Sequence, residues 1–365
     1  MSRLVIGLSG GVDSAVAALL LKQQGHEVTA VFMKNWDEDD ETDYCPAEQD
    51  LADARAIADI LDIELHTVSF SAEYWDRVFR HFLGEYQAGR TPSPDIICNR
   101  EIKFRAFLDH AIGLGADFIA TGHYARIEKE PRVRLLTGID EAKDQTYFLH
   151  TLTREQLGKS LFPLGEMLKS DVRNLARDAG FPVHDKKDST GICFIGERRF
   201  SDFLAQYLQK NPGEIRTLED EVIGTHDGLM FYTIGQRQGL GIGGRKASSG
   251  EPWYVAGKEH EHNILRVVQG VNHPALFRTG LRASQLHWIS GEPPAASLAC
   301  TARIRHQQAL QACNVTIGRQ EGCSVSFERP QRAIAPGQSV VFYDNDECLG
   351  GGIIEEALPH ETPAA

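Results

Sequence analysis

The sequence predicts an α/β protein: a parallel-sheet domain first, then a small mixed α/β domain, then a C-terminal β-barrel. Three observations carry this. Apolar runs of strand length alternate with helix-periodic segments over the first third of the chain. A glycine-serine loop joins the first strand to the first helix. Beyond about Pro212 the texture changes to short alternating runs broken by turns. At 365 residues the chain exceeds one ordinary core.

The first strand is Leu4-Val5-Ile6-Gly7-Leu8, and a helix opens directly after Ser9-Gly10-Gly11-Val12-Asp13-Ser14. Glu27 to Met33 is a second strand. Pro46 to Leu61 spaces Leu51, Ala54, Ile57, Ala58 and Leu61 as one helical face, with proline and acids at its start. Glu64 to Phe70 is the third strand, Ala72 to Gly89 a helix. After the proline-stiffened loop Thr91–Asp95, a helix from about Cys98 to Gly113 leads to the buried strand Asp117–Thr121. Such alternation implies a sheet covered on both faces, with ligands at the carboxyl ends of the strands, where Gly7, Met33 and Gly122 fall. Further helices are expected at 144–151, 153–157, 168–179 and 200–209, with a loop over 182–196. Short runs follow at 229–232, 253–256 and 264–268. Barrel strands are expected near 281–289, 299–304, 313–317, 324–327, 339–343 and 348–354. The expected division is therefore 1–200, 201–275 and 276–357, with a Pro/Ala-rich tail over 358–365.

Composition narrows the function. Hydrophobic content of 42% with mixed charge suits a globular chain, and no apolar run is long enough to span a membrane. The seven cysteines are odd in number, scattered and without a CxxC pair, so neither zinc nor an iron–sulfur cluster is expected. The chain reads as cytoplasmic with reduced thiols. A net charge of −13 argues against a general polyanion binder. Any RNA contact should be local and salt-sensitive, through clusters such as Arg303 with Arg305.

The loop Gly7-Leu8-Ser9-Gly10-Gly11-Val12-Asp13-Ser14 carries the first chemistry. Backbone N–H groups, two serine hydroxyls and the positive helix end make a cradle for phosphate. No lysine follows the glycines, so this is not the GxxxxGK[ST] loop. A carboxylate at Asp13 would repel phosphates unless a cation intervened, and it reads as a magnesium contact. Two cysteines stand apart. Cys98 falls at or near a helix start, with Arg100 and Lys103 placed to hold a thiolate. Cys193 lies between Gly191 and Gly196 and follows Lys186 and Lys187.

SGGVDS resembles the loop of the ATP pyrophosphatase (PP-loop, adenine nucleotide alpha hydrolase-like) superfamily. The ordered set SGGVDS, TPSPDIICN-x-x-IKF, TGHYA, KDQTYFL and DSTGICFIGER, extended by IGQR-x-GLGIGG at 234–244, is similar to the tRNA 2-thiouridylase family. That resemblance implies a tRNA-uridine 2-sulfurtransferase. ATP, as its magnesium complex, adenylates the C2 oxygen of a wobble uridine (tRNAs of the Lys, Glu and Gln type) and releases pyrophosphate. Sulfur carried as a persulfide on Cys193 then displaces AMP. Cys98 either attacks the base or reduces the persulfide, with a transient Cys98–Cys193 disulfide, and Asp95 acts as acid/base. The resemblance further implies ATP contacts at 7–14, Met33 and Gly122, and target-base contacts at Ser93, Pro94 and Asp95. It implies tRNA contacts at His123, Lys143, Asp144, Gln145, Arg305, His306 and Gln338. Ser93 stands where the family usually has Asn, and His306 where it usually has Tyr. For His123 a satisfied histidine at a strand end is the competing reading. A persulfide-donor protein is an expected partner, and a monomer the expected state. The rival functions are a small-molecule PP-loop synthetase and a non-catalytic nucleotide sensor.

Overall fold

The computed structural model describes residues 1–36, 46–188, 203–242, 250–318 and 322–359. Cys193, the expected persulfide carrier, lies outside them, as do Gly243 and Gly244 and the tail from His360.

The first unit is a five-stranded parallel sheet. β1 (Arg3–Gly7), β2 (Glu27–Lys34), β3 (Leu65–Ser69), β4 (Phe118–Ala120) and β7 (Ser160–Leu161) lie in the order β3-β2-β1-β4-β7. Leu4 and Ile6 of β1 face one core and Val5 the other, as the period of two requires. One face is covered by α1 (Val12–Gln23), α2 (Pro46–Leu61) and a later helix, Lys169–Asp178. The other is covered by the helical stretches α3 (71–87) and α4 (94–113). The expected helix from Cys98 therefore starts one turn earlier. Pro94 takes the first helical position, where its missing N–H costs nothing, behind Ser93 as N-cap. The helix widens to π geometry over Asn99–Ala106, immediately after Cys98.

α5 (Thr146–Leu149) and α6 (Arg154–Gly158) are shorter than or close to their expected spans, and α7 is Lys169–Asp178. Of the helix expected over 200–209, only the part from Phe203 is described, and helical turns hold Phe203 and Leu204. The middle unit is a four-stranded sheet, order β10-β11-β8-β9, of β8 (Gly213–Arg216), β9 (Val222–His226), β10 (Trp253–Glu259) and β11 (Ile264–Gln269). The run at 229–232 is not a strand: Leu229–Phe231 form a 3-10 turn.

Six strands then close a barrel: β12 (Phe277–Trp288), β13 (Ser297–Arg303), β14 (Gln311–Ile317), β15 (Cys323–Arg332), β16 (Ser339–Asp344) and β17 (Glu347–Leu358). The order is β12-β15-β14-β13-β16-β17, and β12 pairs back to β17. Closure removes the exposed edges. One hairpin was not foreseen. β5 (Ala125–Glu128) and β6 (Arg134–Thr137), from the first unit, extend the barrel sheet by pairing β6 with Glu347 and Cys348 of β17. Strands of four residues rich in charge carry no alternating signal, and their partner lies some two hundred residues away. No helix among the described residues is long and apolar enough to cross a membrane.

Candidate functional site

The site is built at the carboxyl ends of β1, β2 and β4. Gly7 ends β1, and a Cβ there would lie 3.1 Å from Met33 Cε. This close approach seats Met33 beside the loop. Leu8 continues the sheet by donating its N–H to Val31 O at 2.9 Å. Gly10 has φ +73, and a Cβ would fall 2.2 Å from Asp50 O, so both conformation and space demand glycine. Lys186 Nζ donates to Gly10 O (3.0 Å), Asp50 Oδ1 (2.7 Å) and Asp53 Oδ2 (2.5 Å), fastening the loop to α2 through its carbonyl side. The Ser9 and Ser14 hydroxyls meet at 3.2 Å, and Ser14 Oγ donates to Gly11 O. The first-turn N–H groups of α1 have no intrahelical acceptors, so the cradle presents donors and the positive helix end. This geometry fits a phosphate chain.

Gly122 belongs to the same cradle, for a packing reason. A Cβ there would stand 2.8 Å from Asp13 C and Ser14 N. The end of β4 is pressed against the first turn of α1, and only glycine allows it.

Asp13 has a partner that sequence reasoning did not foresee. Lys169 Nζ lies 2.8 Å from both carboxylate oxygens, and Tyr124 OH donates to Oδ1 at 2.7 Å. The cation beside Asp13 in this arrangement is thus an ammonium, and a magnesium contact at Asp13 would require one of these carboxylate oxygens to be released. Among the described residues no group of three His, Cys, Asp or Glu side chains is placed to hold a metal. Lys169 also pairs with Asp188 (2.8 Å), which receives Lys143 Nζ (2.6 Å) and an Arg173 nitrogen (3.1 Å). Burial alone would raise the Asp188 carboxyl. Hydrogen bonds and charge from Lys143 and Lys169 outweigh it and hold the group at about 2. Lys169, Lys143 and Arg173 thus gather beside the loop, each held by the Asp13 or Asp188 carboxylate. Asp188, five residues before Cys193, ties the start of that segment to the cradle.

Sequence reasoning missed Lys169, Tyr124 and the anchoring roles of Asp188 and Lys186. A signal for Lys169 existed. It occupies the first position of α7, where the helix field disfavours a cation unless anions meet it.

The second cluster surrounds Thr91–Asp95. Thr91 N donates to Pro336 O (2.8 Å), Gln338 Nε2 donates to Thr91 O (2.9 Å), and the Thr91 and Thr233 hydroxyls lie 3.2 Å apart. The loop is clamped between the barrel and the middle unit, and Gln338 is one of its struts. Cys98 is fully buried in the aromatic core with Tyr74, Ile102 and Phe104. It is the fifth residue of its helix, not the first. Arg100 turns to Glu101 at 2.9 Å instead of holding a thiolate. Asn99, next to it, leaves a buried Oδ1 with no hydrogen-bond partner among the described residues.

The expected tRNA contacts separate into two kinds. Lys143 and His306 keep groups that a ligand could use. The His306 ring lies 4.3 Å from that of Phe148, and its Nδ1 is without a partner among the described residues. Burial lowers its pKa, while the charges of Asp144 and Asp95 oppose this. The others do internal work. Asp144 is 2% exposed and accepts from Arg303 at 2.7 Å. Gln145 Oε1 accepts from Tyr124 N at 3.0 Å. Arg305 donates to Ile234 O (3.0 Å) and Ala333 O (2.9 Å), tying the middle unit to the barrel. His123 is buried, its Nδ1 2.7 Å from Thr121 Oγ1 and its ring between Phe104 and Phe162. Burial, then the charge of Lys103, drives its pKa well down. The satisfied-histidine reading describes this geometry.

Family models match the three parts of this architecture. Residues 2–197 match the model described as the tRNA methyl transferase HUP domain. Residues 201–269 match the tRNA methyl transferase PRC-barrel domain, and 278–354 the aminomethyltransferase beta-barrel domain. The chain is 58% identical to the tRNA-specific 2-thiouridylase MnmA of Marinobacter nauticus, over 98% of this chain and 94% of that one. It is 59% identical to the protein of that name from Methylococcus capsulatus, over 96% and 95%. Among solved structures, the NMN synthetase of Francisella tularensis aligns at 24% identity and a TM-score of 0.33, covering 51% of this chain and 66% of that one. On three matched domains and near-complete coverage of these relatives, the chain belongs to the tRNA-specific 2-thiouridylase family.

Proposed function

We propose that this protein exchanges the C2 oxygen of a tRNA wobble uridine for sulfur at the expense of ATP. The observation that carries the reading is the phosphate cradle of 7–14 with Lys169 beside it, in a chain whose relatives are tRNA-specific 2-thiouridylases at 58% identity. The cradle's N–H groups and Lys169 draw charge from the β- and γ-phosphates, which leave as pyrophosphate while the AMP half passes to the C2 oxygen. Uracil C2 is a poor electrophile with a poor leaving group, and phosphorylation of its oxygen remedies both. Met33 and Gly122 would flank the nucleoside end. Ser93, Pro94 and Asp95 would receive the flipped base, since stacking hides its C2.

Sulfur arrives as a persulfide on Cys193. In one route its terminal sulfur attacks C2 and AMP departs. The Cys98 thiol then attacks the Cys193 sulfur of the C2–S–S–Cys193 adduct, releasing 2-thiouridine and leaving a Cys98–Cys193 disulfide. In the other the Cys98 thiol attacks the inner sulfur, giving a Cys98–Cys193 disulfide and hydrosulfide, which then displaces AMP. Both routes require the buried Cys98 region to open or the Cys193 segment to approach it. Residues 1–200 would carry the chemistry, 201–275 would brace, and 276–357 would meet tRNA with Lys143 and His306 at the seam. A persulfide-donor protein and a monomeric, cytoplasmic enzyme complete the reading.

The experiment supplies tRNA, ATP and a persulfide donor, and scores AMP release and 2-thiouridine together. Both products support the proposal. AMP without thiolation favours a synthetase, and neither product favours a nucleotide sensor.

A further inference from the structure

Two cysteines outside the phosphate cradle face one another. Cys300 on β13 and Cys313 on β14 are direct partners in antiparallel register, with their Sγ atoms 3.8 Å apart. Directly opposed residues of an antiparallel pair have Cα atoms about 4.5–5.5 Å apart. A disulfide needs about 4.4–6.8 Å. The backbone is therefore already in range, and rotation of the two side chains suffices to bring the sulfurs together. Both side chains turn into the barrel, where Cys313 is buried and Cys300 packs half-buried against the same core. One thiol is open to a small reagent and the other is covered.

We propose that Cys300 and Cys313 form an oxidant-responsive thiol pair that closes to a disulfide across β13 and β14 on exposure to a peroxide. The Cys300 thiolate attacks one peroxide oxygen, forming a sulfenic acid and releasing hydroxide, which takes up the proton that Cys300 gave up. The Cys313 thiol then attacks the sulfenic sulfur, the S–S bond forms, and the hydroxyl leaves as water with the Cys313 proton. Two thiols supply two electrons, and hydrogen peroxide becomes two waters. The division of roles follows the surroundings. Cys300 is half-buried and is reached first by a small oxidant, whereas Cys313, 3% exposed, meets only the sulfur opposite it. Disulfide closure fixes the strand from which Arg303 reaches Asp144 and after which Arg305 and His306 follow. Oxidation is thus read in the stability of the barrel and its seam.

The test uses the full chain carrying Cys45→Ser, Cys98→Ala and Cys193→Ser, so that only the barrel thiols Cys300, Cys313, Cys323 and Cys348 remain. After hydrogen peroxide, alkylation and digestion, the expected product is a cross-linked peptide pair containing residues 300 and 313. It should be reversible by dithiothreitol and accompanied by a higher melting temperature, and Cys300→Ser should abolish both. In Cys313→Ala, which avoids burying a hydroxyl, peroxide should instead carry Cys300 on to the sulfinic acid. The proposal is overturned if Cys300 reaches the sulfinic acid while Cys313 is present and free, or if both thiols survive peroxide unchanged.

Discussion

Asp144, just before α5, and Arg303, at the end of β13, form an ion pair of 2.7 Å whose side chains are 1% and 11% exposed. The Asp144 carboxylate also accepts from the Thr146 hydroxyl and the Gly138 N–H. It is a bolt between the parallel-sheet unit and the barrel. Truncating one partner leaves an uncompensated buried charge, a loss of about 3–5 kcal/mol. Asp144→Ala is therefore expected to lower the urea midpoint sharply. The double variant Asp144→Leu with Arg303→Met should recover much of it. A midpoint unmoved by Asp144→Ala would show that the seam does not depend on this pair.

Lys169 supplies charge to the phosphate cradle in the proposed reaction. Losing a charge-assisted hydrogen bond costs about 1.5–3 kcal/mol. Lys169→Met should then raise the KM for ATP and the dissociation constant for pyrophosphate by about 10- to 100-fold. Affinity for tRNA should hold. If only the melting temperature moves, Lys169 merely neutralises Asp13.

Gly122 tests the cradle sterically. In Gly122→Ala the new methyl would overlap the backbone of Asp13 and Ser14. The expected result is about 1–3 kcal/mol of destabilisation together with weaker ATP binding. Normal ATP affinity in a folded Gly122→Ala protein would mean the loop shifts without consequence.

The two thiols of the proposed transfer separate adenylation from sulfur delivery. Cys193→Ala should abolish 2-thiouridine formation and leave ATP binding intact. Cys98→Ala should do the same while permitting Cys193 to accept a persulfide. Thiolation that survives Cys193→Ala would remove that residue from the relay.

Acid stability should show two windows. The Asp188 carboxyl, at about 2 in the fold, titrates near ~3.9 unfolded. Its contribution is complete above about pH 4 and is lost as pH falls towards 2. Buried His150, lowered by that burial to about 4, binds its proton near ~6.5 when unfolded. The unfolded chain therefore holds more protons between those values, and stability declines as pH falls through them. Urea titrations should show a shallower acid slope in Asp188→Asn in the lower window and in His150→Phe in the upper one. Slopes identical to the unsubstituted protein would refute these assignments.

Much of this molecule was legible along the chain. The alternation around Leu4–Leu8 and Asp117–Thr121 gave the parallel sheet. The period of two after residue 276 gave six barrel strands, because local periodicity is what a half-buried strand must display. The phosphate loop was legible because its glycines and serines are consecutive, so one stretch of backbone makes the whole cradle. Lys169, Tyr124 and Asp188 come to Asp13 from separate elements, and no local pattern records that meeting. The β5–β6 hairpin joins a distant barrel for the same reason. Tertiary packing likewise decided that Cys98 is sealed in an aromatic core and that Asp144 and His123 face inward. Residue type and spacing determine which groups can do chemistry. Burial and long-range pairing determine which of them are free to do it.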